Sequence, residues 1–340
     1  MITKEMISFV QKMHYLNVNS SYSEIAEELV KLYPHMSHRT ARRHVSNIIN
    51  SSNPTPEEVA MPEILTNKKV GEFNWRNAVK HIEEGQKLFN TAKSNQDKAV
   101  FKINTTEPVY IMVLGDAHFG SFGTDYEVLK RVTDEILNTP NLYVILVGDL
   151  LQMSIKLRNV LEVSDNALPP KFQMMLLDSW LNEIKHKVIC STWDNHAVMR
   201  EETVTGYSKY AEIFERHTIY FNGIGHLDLG VGNEIYKIAV AHFFRGYSLE
   251  NPCHGGMRYM RRMAQDREIS MAGDSHNPGM IKYVDGDKTR CVLNSGTAQT
   301  NSGYAKRFFS LATSSAFPVL KLYPNTHIFT PFWTLEEAIQ

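Results

Sequence analysis

Small clusters of Asp, Asn and His recur five times along this chain, each at or just after the end of an apolar run. The clusters are Gly115–His118, Gly148–Asp149, Asp194–His196, Ala241–His242 and Gly273–His276. A single Gly-Asp pair after a strand is usually a turn, because Gly accepts a positive φ and Asp bonds its own backbone. Five such clusters in series are better explained by side chains that converge from separate strand ends. Oxygen and imidazole groups delivered in this way are typical of a divalent-metal site.

The spacing within the clusters indicates how the ligands would be shared. Asp116 and His118 are two residues apart, as are Asp274 and His276, so on extended backbone both members of a pair point to one side. Asp149 has two carboxylate oxygens and could bridge paired ions about 3.5 to 4 Å apart. Taken alone, a histidine such as His242 is more often a hydrogen-bonded core residue, and only its place in the series favours a ligand. The remaining candidate ligands are the Asn195 amide and the His242 imidazole.

Buried strands alternating with helices must position these clusters. From Glu107 onward, short apolar runs predict strands buried on both faces, and longer segments with helical periodicity lie between them. The predicted strands are 109–114, 142–147, 187–190, 235–240 and 269–272, and the predicted helices are 126–137, 172–184 and 207–216. This pattern predicts an α/β fold in which a two-layered β-sheet sandwich is flanked by helices.

The order of the clusters resembles that of the calcineurin-like metallophosphoesterases, whose blocks read D-x-H, G-D, G-N-H-D/E, H and G-H-x-H. The resemblance covers about 107–330. The segment from Ser295 to Arg307, with Gly273–His276, looks closest to bacteriophage phosphoesterases, and DNA-repair exonucleases of the same fold are the functional match we favour. The resemblance implies an enzyme that hydrolyses phosphoesters, because paired ions activate water and neutralise the charge that develops on phosphate.

Roles for individual residues follow from this resemblance. It implies two divalent ions, with Mn expected and Mg, Fe or Zn as alternatives. The first ion would be held by Asp116, His118, Asp149 and His276, and the second by Asp149, Asn195, His242 and Asp274. The catalytic residues would be His196 and Asp149, with His196 protonating the leaving group or steadying the phosphate.

Two blocks depart from the family pattern. Ala197 stands where an acidic residue usually follows and orients the histidine, which leaves the tautomer of His196 open. Asp274 replaces the first His of G-H-x-H, which keeps a ligand, adds negative charge and hardens the site toward Mn or Mg. A carboxylate for His196 would have to come from another direction, with Asp194, Glu201 and Glu202 as the candidates.

Basic residues near the ligand clusters are candidates for contact with the substrate. Each is expected in a loop, and each alone is more often a solvated surface charge. The candidates are Arg200, Arg245, His254, Lys306 and Arg307, of which Arg245 is the first to test because it lies three residues past His242.

The first fifty residues predict three short helices in the order of a helix-turn-helix unit. The predicted helices are 2–15, 25–32 after a capping box that begins at Ser21, and 38–49. The third carries Arg39, Arg42 and Arg43 on its exposed turns, which suits a DNA groove. A helical cap with a solvated basic face would give the same pattern. The net charge of residues 1–50 is only about +2, from six Lys and Arg against four Glu, which is weak for phosphate contact.

Composition limits the remaining possibilities. The 36 basic and 37 acidic residues nearly cancel, so attraction to nucleic acid or membrane must be local. No stretch of about 18 apolar residues is present, which predicts no membrane span, and the N-terminus lacks the apolar core of a secretory signal. Three widely separated cysteines favour reduced thiols and a cytoplasmic location, the host cytoplasm if the chain is phage-encoded.

These patterns together predict three regions and one preferred function. A helix-turn-helix-like domain at 1–50 precedes a linker and connecting amphipathic helix at 51–106 and a metallophosphoesterase domain at 107–340. The appended helices favour a phosphodiesterase or nuclease that acts on DNA. The alternatives are a phosphatase acting on phosphoprotein or small phosphate esters, and a DNA-binding regulatory module with a weakened catalytic domain.

Overall fold

The computed structural model describes residues 2–16, 21–51, 74–92, 97–155, 165–246, 248, 250–300 and 315–340. The chain divides into two compact units, Met1–Glu83 and Glu84–Gln340. The sequence predictions for Lys306 and Arg307, and for most of the phage-like segment, lie outside the described residues. No described helix is long and apolar enough to cross a lipid bilayer.

The N-terminal unit contains three helices around a small apolar core, as predicted. Their bounds are α1 Lys4–Leu16, α2 Tyr22–Leu32 and α3 His38–Ser51. The Ser21 hydroxyl accepts from the Glu24 N–H while the Glu24 carboxylate accepts from the Ser21 N–H, which confirms the capping box. Ile25, Leu29 and Val45 are fully buried in the core.

A fourth helix, α4, spans Trp75–Ala92, where the sequence predicts a connecting amphipathic helix at about 74–93. Trp75, Val79 and Ile82 are exposed on it. The side chains of Leu88 and Phe89 lie outside the described residues.

Two six-stranded mixed sheets form the centre of the second unit. In the first sheet the strand order is β1-β6-β7-β8-β10-β9, and in the second it is β12-β11-β2-β3-β4-β5. The first sheet contains β1 Lys98–Ile103, β6 Gly225–Val231, β7 Glu234–Val240, β8 Ile269–Ala272, β9 Gly279–Asp285 and β10 Lys288–Asn294. The second contains β2 Val109–Leu114, β3 Leu142–Leu146, β4 Val188–Thr192, β5 Ile219–Phe221, β11 Val319–Leu322 and β12 Phe329–Phe332.

Helices flank both sheets, with His254–Arg262 against the first and the others against the second, and apolar residues fill the space between the two sheets. The helices are α5 Tyr126–Asn138, α6 Pro170–Ile184, α7 Val198–Thr205, α8 Lys209–His217, α9 His254–Arg262 and α10 Leu335–Ile339. One core joins residues of both sheets, such as Ile111 and Ile238, and a second joins the outer face of the second sheet to α5 and α6. The predicted α/β sandwich flanked by helices is therefore confirmed.

The sequence predicts five of the twelve described strands, and the unpredicted ones are β1, β5, β6, β9, β10, β11 and β12. All five predicted strands are present, but β1 pairs with β6 in parallel although the sequence patterns place its residues in the connecting segment. Helix α7 is not predicted by the sequence, and it contains Arg200, for which a loop is expected. Its sequence, VMREETVT, has no strong apolar periodicity and is mostly exposed.

Candidate metal centre

The candidate ligands lie beyond the carboxyl ends of five strands. Asp116 and His118 follow β2, Asp149 follows β3, and the cluster Asp194–His196 follows β4, all in the second sheet. His242 follows β7, and the cluster Gly273–His276 follows β8, both in the first sheet. Hydrogen-bonded neighbours β2, β3 and β4 are parallel, as are β7 and β8, so their ends meet at one edge of each sheet.

The backbone at the ligands is left-handed, which corrects the expectation of extended segments. The φ angles are 53° at Asp116, 49° at His118, 50° at Asp149, 68° at Asp274 and 56° at His276. Such conformations cost about 1–3 kcal/mol each and cluster at functional sites. The two members of each pair therefore converge through strained turns rather than through the pleat of a strand.

The first ligand group consists of Asp116, His118 and His276. The Nε2 atoms of the two imidazoles are 3.1 Å apart, and His276 Nε2 lies 3.3 Å from Asp116 Oδ1. Asp116 and His118 are buried, whereas His276 is half-buried. The group offers two nitrogens and a carboxylate to one ion.

The second ligand group consists of Asp149, His242 and Asp274. His242 Nε2 lies 3.4 Å from Asp149 Oδ2 and 3.5 Å from Asp274 Oδ1. The Asn195 amide adjoins this group, since its Nδ2 donates to Asp274 Oδ1 at 3.1 Å. Two carboxylates and one imidazole make this group richer in oxygen than the first.

Unpaired buried atoms indicate that cations fit these groups. Among the described residues, Asp116 Oδ1, Asn195 Oδ1 and His242 Nε2 are buried without a hydrogen-bond partner. A buried polar atom left unsatisfied costs about 1–3 kcal/mol. Other described residues also hold such atoms, and these three are the ones that belong to predicted ligands; carboxylate, amide and imidazole donors suit divalent cations. The residues therefore fit a pair of divalent ions, with Asp149 placed in the second group.

Hydrogen bonds at Nδ1 turn two of the imidazoles toward the centre. His118 Nδ1 lies 3.0 Å from Gln152 Oε1, and His242 Nδ1 lies 2.8 Å from the carbonyl oxygen of Val147. With Nδ1–H donating in each ring, Nε2 carries the lone pair that a metal accepts. Gln152 has no signal in the sequence, since it lies outside every ligand cluster.

His196 is oriented without the acidic residue of the family pattern. Its Nδ1 lies 3.0 Å from the carbonyl oxygen of Gln152, and its Nε2 lies 3.7 Å from Asp149 Oδ2. Two of the proposed carboxylates are engaged elsewhere: Asp194 accepts from N–H groups at the start of α7 and Glu201 accepts from Ser208. A backbone carbonyl therefore replaces the missing side chain.

The pKa values of the two buried carboxylates, Asp116 and Asp149, are shifted in opposite directions. Burial raises the pKa of Asp116 well above its usual range. Burial also acts to raise the pKa of Asp149, but the imidazoles of His196 and His242 outweigh it and hold that pKa below its usual range. Asp149 therefore keeps its negative charge within the cluster.

The pKa values of the imidazoles also differ between the two ligand groups. Burial lowers the pKa of His276 to about 4 and lowers the pKa of His118 well below its usual value, so both rings are neutral near pH 7. Burial acts to lower the pKa of His242 as well, but Asp149 outweighs it and raises that pKa. Among these three imidazoles, His242 is the one at which a cation competes with a proton.

The basic candidates for substrate contact fall into different surroundings. Arg200 is buried in α7, and its Nη1 donates to the carbonyl oxygens of Gln152 and Met153. His254 begins α9 and its Nδ1 lies 2.9 Å from the carbonyl oxygen of Gly246. Arg245 is exposed.

An open cleft of about 530 Å³ adjoins the second ligand group, and of its lining the sequence predicts only His242 and Arg245. We name it the arginine cleft. It is lined by Trp193, Gly223, Ile224, His242, Phe243, Arg245, Arg258, Tyr259, Arg262 and Met263.

No protein-family model matches this chain, and no curated protein does. Among solved structures, Vps29 of Entamoeba histolytica in complex with zinc is 14% identical, over 66% of this chain and 98% of its own, with a TM-score of 0.34. A predicted phosphoesterase of Streptococcus pneumoniae is 13% identical, over 68% and 100%, with a TM-score of 0.33. The calcineurin-like phosphoesterase YfkN of Bacillus subtilis is 8% identical, over 63% and 84%, with a TM-score of 0.35. Because these identities and TM-scores are low, the fold rests on the strand order and the function on the residues of the site.

Proposed function

We propose that this chain is a dinuclear-metal-dependent phosphoester hydrolase, and more narrowly a phosphodiesterase or nuclease that acts on DNA. The observation that supports it best is the adjacency of two ligand groups, in which the buried Asp116 Oδ1 and His242 Nε2 atoms have no hydrogen-bond partner within the described residues and face only the other ligands of their group. Bound divalent ions supply the activated nucleophile and the charge neutralisation that phosphoester hydrolysis requires.

The residues of the chain divide the remaining work. Asp149 keeps its negative charge and so holds the second group together with His242. His196, held at Nδ1 by the Gln152 carbonyl, presents Nε2 toward Asp149 and, as the imidazolium, is placed to pass the Nε2 proton to a leaving oxygen. Arg200 Nη2 lies 3.4 Å from the same Nε2 and limits the ring's rotation.

DNA is the proposed substrate because of the N-terminal helices. Arg39, Arg42 and Arg43 are exposed on α3, opposite the buried residues Ala41 and Val45. An exposed basic face on the last helix of a three-helix unit suits contact with phosphates and a groove.

We propose Mn²⁺ as the native ion and the cytoplasm as the location. The oxygen-rich second group favours a hard cation such as Mn²⁺ or Mg²⁺. Cys190, Cys253 and Cys291 are free and buried, which fits a reducing compartment. A bacteriophage origin stays a prediction from the sequence.

Mn²⁺-dependent hydrolysis of bis-p-nitrophenyl phosphate tests the proposal. Asp149→Ala should abolish turnover, whereas Asp134→Ala, an exposed carboxylate on α5, should leave it unchanged. Purified protein should then be screened against duplex DNA, single-stranded DNA, RNA and phosphopeptide. Cleavage of phosphopeptide alone would favour the phosphatase, and absence of turnover with every divalent ion would favour the DNA-binding module.

A further inference from the structure

The arginine cleft has an aromatic wall. The ring centroids of Trp193 and Phe243 are 6.3 Å apart at an interplanar angle of 61°. Tyr259 lines the same cleft, and it is held in place by stacking on Phe244 and by a 2.8 Å hydrogen bond between its hydroxyl and His226 Nε2. Phe243 is 41% exposed, so a flat ligand can reach its ring.

The charge of the cleft is positive. Arg245, Arg258 and Arg262 line it, and its lining contains no carboxylate. Within the described residues none of these three guanidinium groups has an ion-pair partner, whereas the neighbouring Arg261 pairs with Asp285 and Arg267 with Asp228. The cleft therefore fits a ligand that is both planar and polyanionic.

The cleft is continuous with the metal centre. His242, a ligand of the second group, is part of its lining. Phe243 is the next residue along the chain, and Trp193 precedes Asn195 by two residues. The ring centroids of His242 and Phe243 are 5.9 Å apart, so a ring stacked on Phe243 lies next to the ligands.

We propose that the arginine cleft binds one unpaired base of a nucleic-acid strand, beside the phosphate held at the metal centre, while its arginines contact neighbouring phosphates. The proposal rests on the phosphodiesterase function above and adds the strandedness of the substrate. Base stacking on aromatic side chains along a cationic groove is the usual mode of single-strand binding. A paired base has its faces covered by its neighbours, so the cleft selects single-stranded or frayed DNA.

The test uses a short single strand of a fluorescent adenine analogue whose emission is quenched on stacking, titrated against the full chain. We expect quenching with the single strand and none when the same strand is paired. Phe243→Leu should weaken binding by at least about five-fold and remove the quenching, since stacking contributes about 1–3 kcal/mol per base. Phe172→Leu, which removes an exposed ring from α6, is the matched control and should behave as the unaltered chain.

The arginines are tested by the dependence of binding on salt. Arg258→Gln should flatten the slope of log K against log[salt] by about 0.7, the value for one phosphate contact on a single strand. Arg216→Gln, which removes an exposed arginine paired with Asp178, should leave the slope unchanged. Quenching that persists in Phe243→Leu, or equal quenching by the duplex, would overturn the proposal.

The result separates this proposal from the proposed function. Hydrolysis of bis-p-nitrophenyl phosphate without quenching by the single strand would remove the base-binding cleft and leave the hydrolase. Quenching without hydrolysis under any divalent ion would remove the hydrolase and leave a single-strand binding site. A strand that contains iodouracil should cross-link on irradiation to peptides that contain Trp193 or Phe243, and cross-links confined to other peptides would contradict the cleft.

Discussion

Gln152 connects two imidazoles of the centre through different atoms. Its side-chain Oε1 faces His118 Nδ1, while its backbone carbonyl faces His196 Nδ1. The side chain is itself fixed, because Gln299 Nε2 donates to the same Oε1 at 3.0 Å. A substitution at this position therefore removes the support of His118 and leaves that of His196 in the backbone.

Gln152→Ala should weaken metal binding about 10- to 100-fold, the usual effect of removing a group that orients a ligating histidine. Competition with a chromophoric chelator measures the affinity. Gln265→Ala is the control, because that exposed amide bonds only the carbonyl oxygen of Arg261 in the described structure. Equal affinities in the two variants would mean that Gln152 does not orient His118.

His196→Gln should reveal proton transfer to the leaving group. A positioned general acid contributes about 10²–10⁴-fold, but only where the leaving oxygen needs a proton. We expect a large loss of kcat for a phenyl or alkyl phosphodiester and a much smaller one for p-nitrophenyl esters, whose leaving group departs as a stable anion. A uniform loss across leaving groups would assign His196 to phosphate positioning instead.

At the scale of elements, the turn after β3 leaves no room for a side chain at Gly148. Gly148 has a φ of 90°, and a Cβ there would lie 2.7 Å from His242 Nδ1 and 2.9 Å from Asp194 Cβ. The turn thus needs glycine for two reasons. Glycine accepts the positive φ, and its lack of a side chain lets His242, after β7, approach the end of β3.

Gly148→Ala should destabilise the protein by more than about 2 kcal/mol and weaken metal binding, because backbone strain adds to displacement of His242. The matched control is Gly206→Ala, because Gly206 also has a positive φ, 71°, but a Cβ there would have no atom within 4 Å. We expect that control to cost about 1 kcal/mol or less and to keep its metal affinity. Urea unfolding and chelator competition measure the two quantities, and similar losses in both variants would disprove the steric argument.

The hairpin of β11 and β12 is joined to the first sheet by a titratable contact. His327 Nε2 lies 2.8 Å from Glu268 and its Nδ1 lies 3.2 Å from Glu234, while its ring stacks on Tyr236. Burial acts to lower the pKa of His327, but Glu268 and Glu234 outweigh it, so the pKa lies above the usual 6.5.

This raised pKa makes the contact dependent on pH. The ion pairs stabilise the fold fully below pH 6.5, where both states are protonated, and the contribution is lost as pH rises through the higher folded pKa. Because the ring is 46% exposed, the effect should stay below about 1 kcal/mol. The difference in unfolding free energy between the unaltered chain and His327→Gln, measured by urea at acidic and alkaline pH, should shrink with rising pH. A constant difference would contradict the linkage.

The strands that carry ligands could be predicted because their apolar runs are short, buried on both faces and followed by Asp or His. Strands β9 and β12 could not, since most of their residues are only half-buried and the apolar alternation is weak. The sequence predicts the types of the ligand residues, but it does not predict the left-handed backbone that orients them. The support of His118 by Gln152 joins residues 34 positions apart, and it needs the folded sheet to exist.

At the scale of the whole molecule, net charge gives no attraction toward a polyanion. The formal charge is -1, so any affinity for DNA has to come from local arginines. Two such groups are present in the described residues: Arg39, Arg42 and Arg43 on α3, and the three arginines of the arginine cleft. Contacts with the phosphates of duplex DNA and stacking of an unpaired base predict different responses to salt.

Arg42→Gln combined with Arg43→Gln should weaken binding to duplex DNA and reduce the slope of log K against log[salt] by about 0.9 for each phosphate that is no longer neutralised. Quenching of the single strand in the arginine cleft should persist, because stacking on Phe243 does not involve α3. The charge-matched control is Lys4→Gln with Lys12→Gln, two exposed lysines on α1. If both double variants reduce the slope equally, the N-terminal unit attracts DNA only through its net charge, and α3 is not a recognition helix.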